Sequence, residues 1–197
     1  MTQTRCLQHR RINVIGCSGS GKSTLSRQLA KQLDVPYFEM DQLYWGPNWT
    51  EPDDATWLAR IATTLAGRDG WVLDGSYTRT QGVKWRQPCT VIWLDLPLWQ
   101  TLWQVGRRTQ RRVMARQELW PGTGNRESLG RAFSRQSILL WVWNTHRSQR
   151  QRNLALMRDP TYSHVQFIHL TSLRQARDLL QQLTTGDSNP VMAALRD

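Results

Sequence analysis

Cysteine is scarce in this sequence and carries no metal pattern. Cys6, Cys17 and Cys89 have no zinc spacing, and their odd number argues against a disulfide framework. This usage fits a reducing, cytoplasmic compartment. His9, His146, His164 and His169 form no metal spacing either, so no histidine receives a role. Long apolar runs are missing. Residues 138–143, Ile-Leu-Leu-Trp-Val-Trp, are too few to span a bilayer, and the apolar run behind the basic start is too short for a secretory signal. No membrane partner is expected. Internal repeats, low-complexity tracts, zinc fingers and a helix-turn-helix are also lacking. Acidic residues are in deficit: 15 Asp and Glu stand against 26 Lys and Arg, a net charge of +11. That balance implies an anionic partner. Between Arg107 and Arg152 there are 11 Arg, no Lys and 2 Glu, a local balance of +9.

The strongest positive signal is Gly16-Cys17-Ser18-Gly19-Ser20-Gly21-Lys22-Ser23-Thr24. It matches the phosphate-loop pattern G-x-x-x-x-G-K-[ST] at every fixed position. Before it lies the apolar run Ile12-Asn13-Val14-Ile15. After it, Leu25, Leu29 and Leu33 recur at helix spacing. A helix start leaves backbone N–H groups without partners, and its dipole favours negative charge there. Glycines let the loop wrap so that these groups converge on a phosphate chain. Lys22 would place its ammonium on the β- and γ-phosphates. Ser23 would offer its hydroxyl to Mg²⁺, beside Thr24. The whole stretch, residues 16–24, is therefore the expected site for ATP with Mg²⁺.

The chain's 197 residues suffice for one α/β domain. Residues 1–11 read as a frayed lead-in. Strands are expected at residues 12–15, 37–40, 71–73, 90–94 and 165–170. Helices are expected from the phosphate loop to Leu33, from Pro52-Asp53-Asp54 to Gly67, from Pro97 to Arg112, over 127–157 and over 172–183. The 127–157 helix would align Leu129, Phe133, Leu140 and Trp143 on one face, and one at least of Trp141 and Trp143 would belong to the core. Residues 116–130 read as a loop-like insert, and the tail from Thr184 as loosely held. Alternating strands and helices give a parallel sheet, whose ligands sit beyond the carboxyl ends of its strands.

That edge collects the candidate chemistry. Asp74, ending an apolar strand, would hold Mg²⁺ opposite Ser23, or else cap its own loop. Asp95 reads as a cap. Asp41, ending the second strand, would accept the proton of an acceptor hydroxyl, or stabilise a turn. Arg79 would clamp an anionic group on the acceptor, or stay solvated. Arg107, Arg108, Arg111 and Arg112 would reach a transferring phosphoryl group from a lid, or lie on a solvated face or nucleic acid. Tyr44, Trp45 and Trp49 would wall an acceptor pocket, or simply pack.

Four patterns together resemble a known group: residues 16–24, Asp41-x-Leu43-Tyr44-Trp45-x-Pro47-x-Trp49, Asp74-Gly75-Ser76-Tyr77-Thr78-Arg79-Thr80, and Trp141-x-Trp143-Asn144. They look like the adenylate-kinase-like P-loop proteins of the FlaR-related group of DNA topology modulation proteins. The resemblance spans about residues 11–183. It implies a three-layer α/β P-loop NTPase fold with a five-stranded parallel sheet. It also implies a nucleoside- or nucleotide-kinase type of activity, an acceptor-side helical insert (42–68) and an arginine-bearing lid (109–130). Adenylate kinases proper carry Asp-Gly-Phe-Pro-Arg-Thr after the third strand; this chain is one residue longer there and lacks the proline. Two functions follow. One is a kinase passing the γ-phosphoryl of Mg-ATP to a small-molecule acceptor. The other is a nucleotide-dependent regulatory or nucleic-acid-binding protein. An ATPase without acceptor is the fallback to the first.

Overall fold

The computed structural model describes residues 7–115, 118–120, 122–126 and 137–185. Five strands form one sheet: β1 Arg11–Gly16, β2 Tyr37–Glu39, β3 Trp71–Asp74, β4 Cys89–Leu94 and β5 Val165–Leu170. Their order is β2-β3-β1-β4-β5 and every pairing is parallel. Seven helices are described: α1 Lys22–Leu33, α2 Met40–Tyr44, α3 Asp54–Leu65, α4 Gln81–Lys84, α5 Leu98–Met114, α6 Ile138–Leu156 and α7 Leu173–Thr185. The chain is thus the three-layer α/β P-loop fold.

The layers follow from the period-2 alternation of strand side chains. Ile12, Val14, Val72, Ile92, Leu94, Ile168 and Leu170 turn to one face, where α1 and α7 cover them with Leu25, Leu29, Leu33, Ala176, Leu179 and Leu183. The intervening residues turn the other way. Trp71 and Leu73 pack with Met40, Tyr44, Trp57 and Ile61 of α2 and α3. Ile15, Val91, Trp93 and Val165 pack beneath Leu154 and Leu156 of α6. Both faces are covered, so the strands read as continuous apolar runs. Asn13 is the exception. Fully buried, it donates from Nδ2 to Leu73 O (2.9 Å) and Gly75 O (3.2 Å) and accepts from Trp85 Nε1 (3.0 Å). It sutures β1 to the turn after β3, and truncating it would leave buried groups unpaired at about 1–3 kcal/mol each.

Central β1 carries the phosphate loop, and the chain moves from β1 to the β3 side and then to the β4 side. The loop therefore sits at the switch point where a crevice opens. Asp53 caps α3 as the sequence implies, accepting from the Thr56 amide at 2.8 Å.

Several expectations need correction. The second strand stops at Glu39, and Asp41 lies in the first turn of α2, because residues 40–44 hold no helix breaker. Leu7 is fully buried, so the lead-in is packed at least from there. Residues 109–114 form the last turns of α5, so the expected lid region begins as helix. In the predicted 127–157 helix, Leu129 and Phe133 lie outside the described residues. Leu140, Trp141 and Trp143 are 49%, 46% and 62% exposed, and Val142 is the buried member. The supposedly loose tail is helical to Thr185, and residues beyond it lie outside the described set. Asp95 gives the following helix α5 no side-chain cap; its Oδ2 accepts from Arg150 Nε and His169 Nε2, both at 2.9 Å. Among the described residues no helix is long and apolar enough to cross a membrane.

Candidate active site

The phosphate loop takes its shape from three glycines at positive φ: Gly16 (147°), Gly19 (82°) and Gly21 (96°). At two of them space is as decisive as backbone angle. A Cβ on Gly16 would stand 2.5 Å from Leu94 O, and one on Gly19 would stand 2.2 Å from Val105 Cγ2. Gly21 ends the loop in the left-handed region and caps α1 without a side chain, and the first turn of α1 holds no acidic residue. The helix thus starts with uncapped amides and a positive dipole end. Among the described residues, Ser20 is the loop residue whose amide goes to a backbone carbonyl, Cys17 O at 3.2 Å. The same carbonyl accepts from Lys22 Nζ at 3.0 Å. Cys17 serves through this carbonyl, while its thiol packs under Val105 and Val142 and burial pushes it up.

Ser76 anchors the loop's entry. Its hydroxyl accepts from the Gly16 amide and donates to the Gly16 carbonyl, both at 2.9 Å. Asp74 ends β3 beside Ser23. It is buried, its Oδ1 has no hydrogen-bond partner, and its Oδ2 accepts from Tyr37 OH at 3.3 Å. Burial raises its proton affinity, against the pull of the Lys22 ammonium and the Ser23 hydroxyl. Glu39 stands near. Its Oε1 accepts from Trp120 Nε1 at 3.3 Å, and burial together with the Asp74 and Asp41 charges pushes it up. Among the described residues no group of three or more His, Cys, Asp or Glu could form a protein-only metal cage. Ser23 and the orphaned Asp74 oxygen fit the alternative, a Mg²⁺ held jointly with substrate phosphates. The uncapped amides and the glycine cradle fit a polyphosphate equally well.

One cavity of about 770 Å³ unites these groups with the acceptor-side candidates. Gly16, Ser18, Lys22, Ser23 and Asp74 line it together with Asp41, Tyr44, Trp45, Trp49 and Arg79. Asp41 Oδ1 accepts from Tyr77 OH at 2.5 Å. Arg79 is not a free clamp. It pairs with Asp54 at 2.6 Å and lies over the Trp57 ring. Thr24 is exposed at the start of α1.

The arginines separate. Arg108 lines the cavity, and its Nη2 donates to Ser18 Oγ at 3.2 Å; Arg112, one turn on, lines it too. Arg107 goes elsewhere: it is exposed, with its guanidinium 4.7 Å from the Trp103 ring centre. Consecutive helix residues point about 100° apart, so one of the pair faces the loop and the other cannot. Arg152 of α6 also lines the cavity, whereas Arg150 is taken by Asp95. Part of the basic segment is therefore turned inward.

Sequence reasoning missed Glu39, Glu51, Trp120 and Asn125. A short hairpin, joined by the Glu118–Arg126 bridge, brings Trp120 against Trp45 and Trp49. Asn125 locks it there, donating to Gly46 O and accepting from the Trp49 amide, both at 2.9 Å. The described part of the expected lid thus sits on the acceptor loop. Trp120 lies in a Gly- and Pro-rich stretch with no periodicity, so no local signal could have marked it.

No family model and no curated protein matches the chain. Solved structures do. A shikimate kinase from Acinetobacter baumannii in complex with shikimate is 19% identical, over 92% of this chain and 96% of that one, with a TM-score of 0.49. A gluconokinase from Sinorhizobium meliloti 1021 is 20% identical, over 92% and 94%, with a TM-score of 0.47. A sugar kinase from Janibacter sp. HTCC2649 is 20% identical, over 90% and 93%, with a TM-score of 0.47.

Proposed function

We propose that this protein is a small-molecule kinase that transfers the γ-phosphoryl group of Mg-ATP to an acceptor hydroxyl. The carrying observation is that the phosphate loop and the Asp41–Trp45–Trp49 wall line one cavity of about 770 Å³. Donor and acceptor would meet inside one enclosure, where phosphoryl transfer needs mainly positioning and electrostatics.

Amides of the loop at residues 16–24, other than those of Gly16 and Ser20 that are paired within the protein, hold the triphosphate. Lys22, released from Cys17 O, and Arg108 stabilise charge on the γ-phosphoryl. Ser23 and Asp74 would hold Mg²⁺, which would supply neutralisation of phosphate charge. Asp41, oriented by Tyr77, faces the acceptor hydroxyl and takes its proton. The new bond joins the acceptor oxygen to the γ-phosphorus, the bond from that phosphorus to the bridging oxygen breaks, and ADP leaves. Arg107 has no part in this scheme, because it stacks on Trp103. The chain is read as one domain with an acceptor-side insert at 42–68 and a lid region at 109–130. Its finer kinship with the FlaR-related adenylate-kinase-like group rests on the four residue patterns alone, and a cytoplasmic location on the cysteine usage.

The test follows ATP loss in the presence of nucleosides, nucleotides and small hydroxylated metabolites. Acceptor-dependent loss that disappears in Lys22→Ala is the expected result. Unchanged turnover in that variant overturns the assignment. Loss independent of every acceptor reduces the protein to an ATPase.

A further inference from the structure

Trp99, Trp103 and Trp143 take no part in lining the cavity, and they are 72%, 59% and 62% exposed. They belong to α5 and α6, which pack along a seam of Leu98, Leu102 and Val105 against Ile138, Leu139 and Val142. The two helices run antiparallel. Residues 138–142 meet α5 at residues 98–105, and His146, further along α6, reaches Leu96 O at 2.9 Å, just ahead of the α5 start. Trp99 and Trp103 each follow a seam residue, Leu98 and Leu102, and Trp143 follows the seam residue Val142. Between antiparallel neighbours the same step round each helix, about 100°, leads to the same outer side. The three indoles therefore share one outer face. Met114, 77% exposed, continues the α5 stripe within about 20° of Trp103 in helical projection.

Cations border this apolar face. Arg107 follows Trp103 by one helical turn and Arg147 follows Trp143 by one, and both arginines are exposed. Neither helix contains an acidic residue, against four arginines in α5 and three in α6. Arg108, Arg112 and Arg152 turn into the cavity and Arg150 is taken by Asp95. Arg107 and Arg147 stay with the indoles. The face is thus apolar at its centre and basic at its edge, with no anion of its own helices to offset it.

We infer that this face docks the protein on an anionic lipid surface. Indole rings settle at the headgroup level of a bilayer, where one end is apolar and the other wet. Arginines beside them reach the lipid phosphates, and charge attraction adds to the burial of apolar area. Both helices would lie along the surface. The short apolar runs of the sequence argue only against a span, and among the described residues no helix is long and apolar enough to make one. A second copy of the chain fits worse, because it would set arginine against arginine. Single-stranded nucleic acid needs open ring faces for its bases. Here the Arg107 guanidinium lies over the Trp103 ring, 4.7 Å from its centre, and Met114 offers no ring at all. Lipid binding is independent of the kinase reading.

Co-sedimentation of the full chain with vesicles tests this. The vesicles are phosphatidylcholine alone, or an equal mixture of phosphatidylcholine and phosphatidylglycerol; an oligothymidylate is the competing probe. Binding to the mixed vesicles is expected, weak binding to the neutral ones, and release from the mixed ones as salt rises. Trp99→Ser with Trp103→Ser should weaken vesicle binding about tenfold or more. Arg107→Gln with Arg147→Gln should weaken it by about fivefold for each arginine. Both double variants should keep the thermal midpoint and the rate of ATP loss, since these side chains lie outside the core and the cavity. The inference is overturned if mixed vesicles at low salt bind nothing, or if either double variant binds them like wild type. It is equally overturned if the oligothymidylate binds more tightly than the vesicles and displaces them, or if light scattering shows a dimer that the tryptophan variant dissolves.

Discussion

Asn125 holds Trp49 in a backbone conformation that a bulky side chain rarely adopts. Trp49 has φ 61° and its neighbour Asn48 has φ 53°, and the Trp49 amide donates to Asn125 Oδ1 at 2.9 Å. Two successive residues in the left-handed region cost on the order of 1–2 kcal/mol each, so something must hold them. Asn125, which also binds Gly46 O, is that device.

Asn125→Ala should therefore loosen the aromatic wall without touching the phosphate loop. The expected result is a KM for acceptor raised about tenfold, with the KM for ATP unmoved. Steady-state kinetics with both substrates varied check this, and an equal rise in both constants would contradict it.

Gly19→Ala puts a methyl group into Val105. With φ 82° as well, it should destabilise the fold by about 1–3 kcal/mol. Because Val105 and Arg108 share α5, the same change should also weaken ATP-analogue binding. Thermal unfolding and calorimetry on one sample measure both effects.

Asp74→Asn keeps the shape of a buried group and removes its charge. The half-saturating Mg²⁺ concentration for ATP loss should rise about tenfold. A variant with unchanged Mg²⁺ dependence would remove Asp74 from the metal site.

Lys84 gives a pH signature. It is buried beneath the Tyr77 turn, donates to Tyr77 O at 3.1 Å, and burial lowers it from 10.5 to about 7. Between these values the unfolded chain binds a proton there that the folded chain does not, so stability rises with pH. Cys89 acts oppositely: burial pushes it from 9.0 up to about 12, so above pH 9 the folded chain keeps a proton the unfolded one loses. The window for Lys84 is thus about pH 7 to 8.5, with a slope of up to about 1.4 kcal/mol per pH unit. Urea unfolding of wild type and Lys84→Met across that window should show the slope only in the wild type.

Local chemistry determined a great deal before any fold was known. The loop at residues 16–24, the strand on either side of the sheet's centre and the cap at Asp53 are short-range facts, because hydrogen bonding and side-chain period act over a few residues. That Lys22, Ser23, Asp41 and Asp74 would stand near one another was legible, since the loops and helix starts that follow parallel strands share one edge, and the four do line one cavity. Tertiary structure decided the rest. Which of Arg107 and Arg108 faces the phosphates depends on how α5 is rotated against the loop. Whether Arg79 is available depends on Asp54, 25 positions away. The aromatic cluster of Trp45 and Trp49 is completed only when Trp120 arrives from a distant hairpin, and no pattern within a single stretch of chain encodes a contact of that range.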